Sequence, residues 1–171
     1  MSAAPECPHL VLVGLMGSGK TTVGRVVAER MGRHFHDTDA IIEARTGRSV
    51  REIFSADGEE AFRDLEAEVL AEIIAEEEPS VIAGAGGVVL REANRAALRA
   101  GRCRVVWLCA DPAHLIERVT NGGHRPLLDD DPEARLRQMF IDREAFYREV
   151  AHAIVRTDGR NVHEVVEAVL R

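Results

Sequence analysis

A chain of 171 residues, 46% hydrophobic and 30% charged, is long enough to close a real core and suits one compact domain over residues 1–171. Its formal net charge of −7 excludes a surface whose main work is holding nucleic acid, so basic side chains are expected to matter locally, at a pocket. Cys7, Cys103 and Cys109 are an odd, widely spaced set without a C-x-x-C pair, which excludes a disulfide framework or a zinc site as the organising feature. No apolar run approaches membrane length and residues 1–9 lack the pattern of a signal peptide, so the expectation is a cytoplasmic protein.

The first strand is expected at Leu10-Val11-Leu12-Val13. Directly after it comes Gly14-Leu15-Met16-Gly17-Ser18-Gly19-Lys20-Thr21, which fits G-x-x-x-x-G-K-[ST] at every fixed position. Residues 22–30 then carry helical spacing, so the motif stands in the strand, loop, helix context that gives it meaning. Glycines let the backbone N–H groups converge on one concavity, and the new helix adds its unpaired N–H groups and the positive end of its dipole. Lys20 can reach the β- and γ-phosphates of a nucleoside triphosphate, and the Thr21 hydroxyl can ligate the accompanying Mg²⁺. Lys20 is also the only lysine in the chain, the other 21 basic residues being arginines. A composition this poor in lysine still places one where a compact ammonium on a flexible stem suits a phosphate.

Residues 33–36 read as a short second strand whose carboxyl end delivers Asp37 and Asp39. In an open α/β sheet ligands bind beyond the carboxyl ends of the strands, so one of these aspartates is expected to hold Mg²⁺ through water and the other to face a second substrate. Asp39 also opens a helical stretch, 40–46, where an aspartate serves equally as a cap. Gly47 closes that helix, Ser49 and Glu52 have the spacing of a capping box, and Asp57-Gly58 ends the next helix. A long helix over 59–77 sets Phe62, Leu65, Val69 and Ile73 on an apolar stripe with acids opposite. Arg63 sits near its start, where the dipole does not favour a cation, which leaves an anionic ligand or plain solvation as its role.

Pro79 stops the helix and Val81-Ile82-Ala83 reads as a buried third strand running into Gly84-Ala85-Gly86-Gly87, small residues that let another molecule approach the backbone. A helix over 91–100, a fourth strand over 103–109 and a helix opened by Asp111-Pro112 and ending near Arg118 follow. Residues 121–126, Asn-Gly-Gly-His-Arg-Pro, have the composition of a mobile loop carrying Arg125. Asp129, Asp130, Asp131 and Pro132 then cap a helix on which Leu136, Met139, Phe140, Arg143, Tyr147 and Val150 share one face, so Arg143 lies in an apolar stripe and needs an anionic partner. Ala153-Ile154-Val155 is a fifth strand, 156–161 a turn and 162–170 the closing helix. The seven histidines show no metal spacing. Five strands alternating with helices predict an α/β fold, a five-stranded parallel sheet with helices on both faces.

With these residues placed, the chain resembles the shikimate kinase family, which shares its P-loop architecture with nucleoside monophosphate kinases. The match covers nearly the whole length: GLMGSGKTTVGR from Gly14, DTD from Asp37, TGRSVREIF from Thr46, DGEEAFR from Asp57, the Gly-rich turn near Gly86, RPLL from Arg125 and DREAFY from Asp142. The resemblance implies a kinase that moves the γ-phosphoryl group of ATP to the 3-hydroxyl of shikimate, in chorismate and aromatic amino-acid biosynthesis, with Mg²⁺ as cofactor. It assigns Gly17, Ser18, Gly19, Lys20, Thr21 and Thr22 to the ATP phosphates, Arg118 and Arg160 to the adenine, and Thr21 with Asp37, through water, to the metal. Asp39, Arg63, Gly86 and Arg143 would hold shikimate, within a substrate segment at about 38–66. Arg125 would be the cation of a mobile lid at about 119–131, and Lys20, Asp39 and Arg125 the catalytic set. ATP and shikimate are then the partners, with no nucleic acid and no membrane, and a monomer is expected. Two departures stand out: the family's first substrate-loop glycine is Ala85, and the proline often found in the adenine loop is Val162. A gluconate or other polyol-acid kinase, a nucleoside monophosphate kinase and a nucleotide-dependent switch are the competing readings.

Overall fold

The computed structural model describes residues 8–120 and 130–171. Strand β1 (His9–Val13) leads through the glycine-rich loop into α1 (Lys20–Met31), then come β2 (His34–Asp37), α2 (Thr38–Thr46), α3 (Val50–Asp57) and α4 (Glu59–Ala75). After β3 (Ser80–Ala83) follow α5 (Glu92–Arg99), β4 (Cys103–Cys109), α6 (Pro112–Thr120), α7 (Pro132–Val150), β5 (Ala153–Arg156) and α8 (Val162–Leu170). All five strands are parallel, in the order β2-β3-β1-β4-β5.

The three inner strands are buried almost throughout, whereas the edges β2 and β5 alternate or stay half-exposed. That is what parallel strands covered on both faces require, and why β1 and β4 read as unbroken apolar runs. Successive side chains of β1 go to opposite faces. Leu10 and Leu12 join Val23 and Val27 of α1 and Val165, Val166 and Val169 of α8. Val11 and Val13 join the larger core with Ile42, Ile53, Leu70, Trp107 and Tyr147. The expected fold class is the one found. Among the described residues no helix is long and apolar enough to cross a membrane.

Most element ends have an identifiable cause. Ser49 accepts from Glu52 N while Glu52 accepts from Ser49 N, the capping box the spacing predicts. Asn161 and Glu164 form a second one at α8, and Asp131 caps α7. Several boundaries differ from the sequence reading by one or two residues. The long helix ends at Ala75 instead of 77. Strand β2 runs one residue further, to Asp37, and α2 starts at Thr38 instead of Ala40. The cap of α2 is accordingly Asp37, whose Oδ1 accepts from Asp39 N at 3.1 Å and Ala40 N at 3.3 Å. Asp39 falls inside the first turn of the helix and is not its cap.

Candidate active site

The carboxyl ends of β1, β2 and β3 open onto a cleft of about 790 Å³, a size that suits a nucleotide with a small second substrate. The residues assigned to the ATP phosphates, Gly17 through Thr22, all line it, together with Asp37, Asp39, Gly86, Arg118 and Arg160. Arg63 and Arg143 are not among the residues lining it; they are buried against Gly87 and Gly86 of the Gly-rich turn. Arg125, and most of the segment expected as a lid, fall outside the described residues.

The loop's shape comes from its glycines. Gly14 has φ +147°, and a Cβ there would stand 2.5 Å from the Leu108 carbonyl oxygen, so no other residue lets β1 turn away this close to β4. Lys20 Nζ lies across the loop, donating to the carbonyls of Gly14 at 2.8 Å and Leu15 at 3.0 Å. The buried Ser18 hydroxyl has no hydrogen-bond partner among the described residues. Such a group inside an anion cradle is suited to a ligand oxygen.

Next to the loop, Thr21 Oγ1 donates to Asp37 Oδ2 at 2.7 Å. A hydroxyl and a carboxylate side by side at the phosphate end of the cleft are hard oxygen donors, few in number. They fit a small divalent cation that keeps most of its waters. Asp37 is held for this by its other oxygen, which caps α2. At the far end, Arg118 donates to the Gly17 carbonyl at 3.3 Å and to the Thr157 carbonyl at 3.5 Å. It ties the phosphate loop to the turn that carries Arg160, and Val162 lines the cleft at the start of α8.

Behind the Gly-rich turn, α4 and α7 bring Arg63 and Arg143 against Gly87 and Gly86. Helix α7 is seated by Trp107, whose ring stacks on Tyr147 at 5.5 Å and meets Phe140 at 6.4 Å. Tyr147 then donates its hydroxyl to the Gly86 carbonyl. Burial pushes this phenol up to about 12, which keeps it a donor at any working pH. The same seating buries Arg143 to 6% exposure, with Nη1 3.6 Å from where a Gly86 Cβ would be. Arg63, 4% exposed, donates from Nη1 to both oxygens of Glu66 at 3.1 and 3.0 Å, and from Nη2 to Glu59 at 3.2 Å. A Cβ on Gly87 would meet its guanidinium at 2.2–2.4 Å, so the turn lies flat against the arginine.

Sequence reasoning missed three members of this cluster. Glu66 is not singled out by the sequence pattern, yet it is fully buried. Its spacing was the available signal, because Phe62, Glu66, Val69 and Ile73 recur at helical intervals on one stripe, the same reasoning that singled out Arg143. Thr38 Oγ1 accepts from Ala85 N at 3.0 Å and joins α2 to the Gly-rich turn. Tyr147 read only as core.

Comparison with known proteins gives one consistent result. A family model described as "Shikimate kinase" matches residues 16–171. The chain is 50% identical over 165 residues to a shikimate kinase of Symbiobacterium thermophilum, covering 95% of this chain and 94% of the relative. It is 46% identical over 171 residues to one of Burkholderia thailandensis, covering 99% and 92%. Among solved structures, a shikimate kinase from Acinetobacter baumannii in complex with shikimate superposes with a TM-score of 0.91 at 38% identity, covering 95% of this chain and 90% of that one. A gluconokinase from Sinorhizobium meliloti shares the fold alone, at TM-score 0.63 and 22% identity over 96% of this chain and 91% of that one.

Proposed function

Because the chain belongs to the shikimate kinase family, we infer that it transfers the γ-phosphoryl group of ATP to the 3-hydroxyl of shikimate, giving shikimate 3-phosphate and ADP in aromatic amino-acid biosynthesis. The observation that carries this beyond family membership is the pair of buried guanidiniums, Arg63 and Arg143, against the glycine turn one layer behind the phosphate loop. Two fixed cations at that depth suit a small carboxylate whose hydroxyls extend toward the cleft.

Phosphoryl transfer needs in-line placement and neutralisation of charge more than covalent help. In this reading the backbone of Gly17 to Thr22 cradles the phosphates, and Lys20 leaves the Gly14 and Leu15 carbonyls to meet the γ-phosphate. Arg118 and Arg160 flank the base. Thr21 and water held by Asp37 would carry Mg²⁺, which supplies positive charge on the phosphate oxygens when bound. Arg63 and Arg143 hold the acid's carboxylate, with Gly86 beneath its ring. Asp39, half-buried at the cleft wall, orients the 3-hydroxyl and accepts its proton. Arg125 completes the charge on the transferring group. A cytoplasmic monomer fits this reading, since the large exposed apolar side chains, such as Ile141 and Ile154, are scattered over different elements.

The direct test is ADP release from MgATP in a coupled assay with shikimate, gluconate, AMP or no acceptor in parallel. ADP formation that depends on shikimate alone is the expected result. Equal stimulation by gluconate, or acceptor-independent turnover, would overturn it.

The glycine turn gives a second expected result. Gly87→Ala forces a methyl into the Arg63 guanidinium, an overpacking that costs about 1–3 kcal/mol. The variant is expected to melt several degrees lower and to need more shikimate for half-saturation. Wild-type values of both would mean that the turn is not pressed against Arg63 in solution.

A further inference from the structure

Glu66 takes no part in the transfer just described, yet its carboxylate is fully buried beside the acid-binding arginines. Charged and titratable groups face it from three helices: Arg63 on its own α4, Asp39 on α2, and Arg143 and Tyr147 on α7. Glu59 touches the same Arg63 from the surface, where water screens it. Around the two guanidiniums the charge is balanced by two carboxylates, the buried Glu66 and the half-buried Asp39, which lies close enough to act on Glu66. A substrate carboxylate arriving on Arg63 and Arg143 leaves that group one negative charge in excess, in surroundings where an unbalanced charge is costly. One proton restores the balance.

Glu66 is the group placed to take it. Asp39 lines the cleft, where the acid's ring hydroxyls reach it, whereas Glu66 is fully buried and accepts from Arg63. Burial already pushes the Glu66 carboxyl up to about 7; Arg63 and Arg143 pull it back, and Asp39 adds to the rise. A further anion on the same arginines acts in the direction of Asp39.

We propose that docking of the substrate carboxylate on Arg63 and Arg143 is coupled to uptake of one proton from solvent by Glu66, which positions Arg63 as an anion in the empty site and becomes a neutral hydrogen-bonding partner in the occupied one. The inference rests on the acid-binding reading of the two arginines. By linkage, a proton taken up on binding makes affinity fall as pH rises. Below the free-site value near 7 affinity is flat, and above it the Kd for the acid climbs by up to about tenfold per pH unit until the occupied site also ionises.

The test is titration calorimetry of the intact protein with shikimate at about pH 7.5, in two buffers of different ionisation enthalpy, so that the proton count appears as the slope of heat against buffer enthalpy. Shikimate is itself fully ionised there and contributes none. The expected result is uptake of roughly half a proton or more per acid bound, absent in Glu66→Gln, whose Kd is also flat between about pH 6 and 8.5 where the parent's rises. No uptake in the unmodified protein, a measurement that does not depend on the variant folding, overturns the coupling. Equal uptake in Glu66→Gln overturns the assignment to Glu66. Shikimate binding without proton uptake leaves the kinase reading intact; failure of shikimate to bind or to stimulate ADP release overturns both.

Discussion

Lys20→Ala is expected to lower kcat by roughly two to three orders of magnitude, the scale seen when one preorganised donor to developing charge is removed, while leaving the fold intact. The ammonium lies on the Gly14 and Leu15 carbonyls at 2.8 and 3.0 Å. These are neutral acceptors, which a γ-phosphate outcompetes for the charge. The backbone cradle and the dipole of α1 remain in the variant, so ATP still binds and most of the loss falls on kcat and kcat/KM together, the mark of an interaction stronger in the transition state. Lys20→Arg is not expected to rescue, because a planar fork cannot fold back over the loop as a point charge does. Steady-state kinetics with ATP varied checks this, and a loss confined to the KM for ATP would make Lys20 a binding residue only. The composition offers an independent control. Since Lys20 is the sole lysine, an amine-directed reagent has this side chain and the amino terminus as its only amine targets, and MgATP is expected to slow loss of activity.

The fold was legible because its signals are local. Strand β4 and helix α8 lie where periodicity and flanking turn residues put them, and the capping box at Ser49 is fixed by spacing alone. Where a residue serves two elements the reading slipped. Asp37 is at once the last residue of β2, the cap of α2 and the partner of Thr21, and a one-dimensional pattern assigns a residue to one element at a time. The site was legible in proportion to how far each residue breaks its local pattern. Arg143 could be found because a guanidinium on an apolar stripe is anomalous. Glu66 breaks the same rule on α4, but in a helix so rich in acids one more carboxylate does not stand out. Its burial depends on α2 and α7, elements distant in sequence that only the packed sheet brings together. Ala85, the departure from the family's glycine, is 7% exposed with its amide donating to Thr38, whereas the close approach to an arginine falls on Gly87.

Arg143→Ala tests that cluster most severely. Removing a charge-assisted hydrogen-bonding partner of the acid is worth about 1.5–3 kcal/mol, so the KM for shikimate is expected to rise roughly 10- to 150-fold at 1.36 kcal/mol per tenfold. The effect on kcat is smaller, because the carboxylate lies away from the reacting hydroxyl and is held alike in ground and transition states. Tyr147 still anchors α7 on the Gly86 carbonyl and Trp107 still stacks on it, but the cavity and the unbalanced carboxylates left behind are expected to lower the melting temperature by several degrees, so the KM is measured well below it to separate lost binding from lost fold. An unchanged KM would remove Arg143 from the acid site. The same substitution reaches Glu66. Arg143 is one of the charges that hold the Glu66 carboxyl down, so without it more of Glu66 is already protonated before the acid arrives. The variant is therefore expected to take up fewer protons on binding shikimate than its parent, a change in stoichiometry that weakened affinity by itself does not produce.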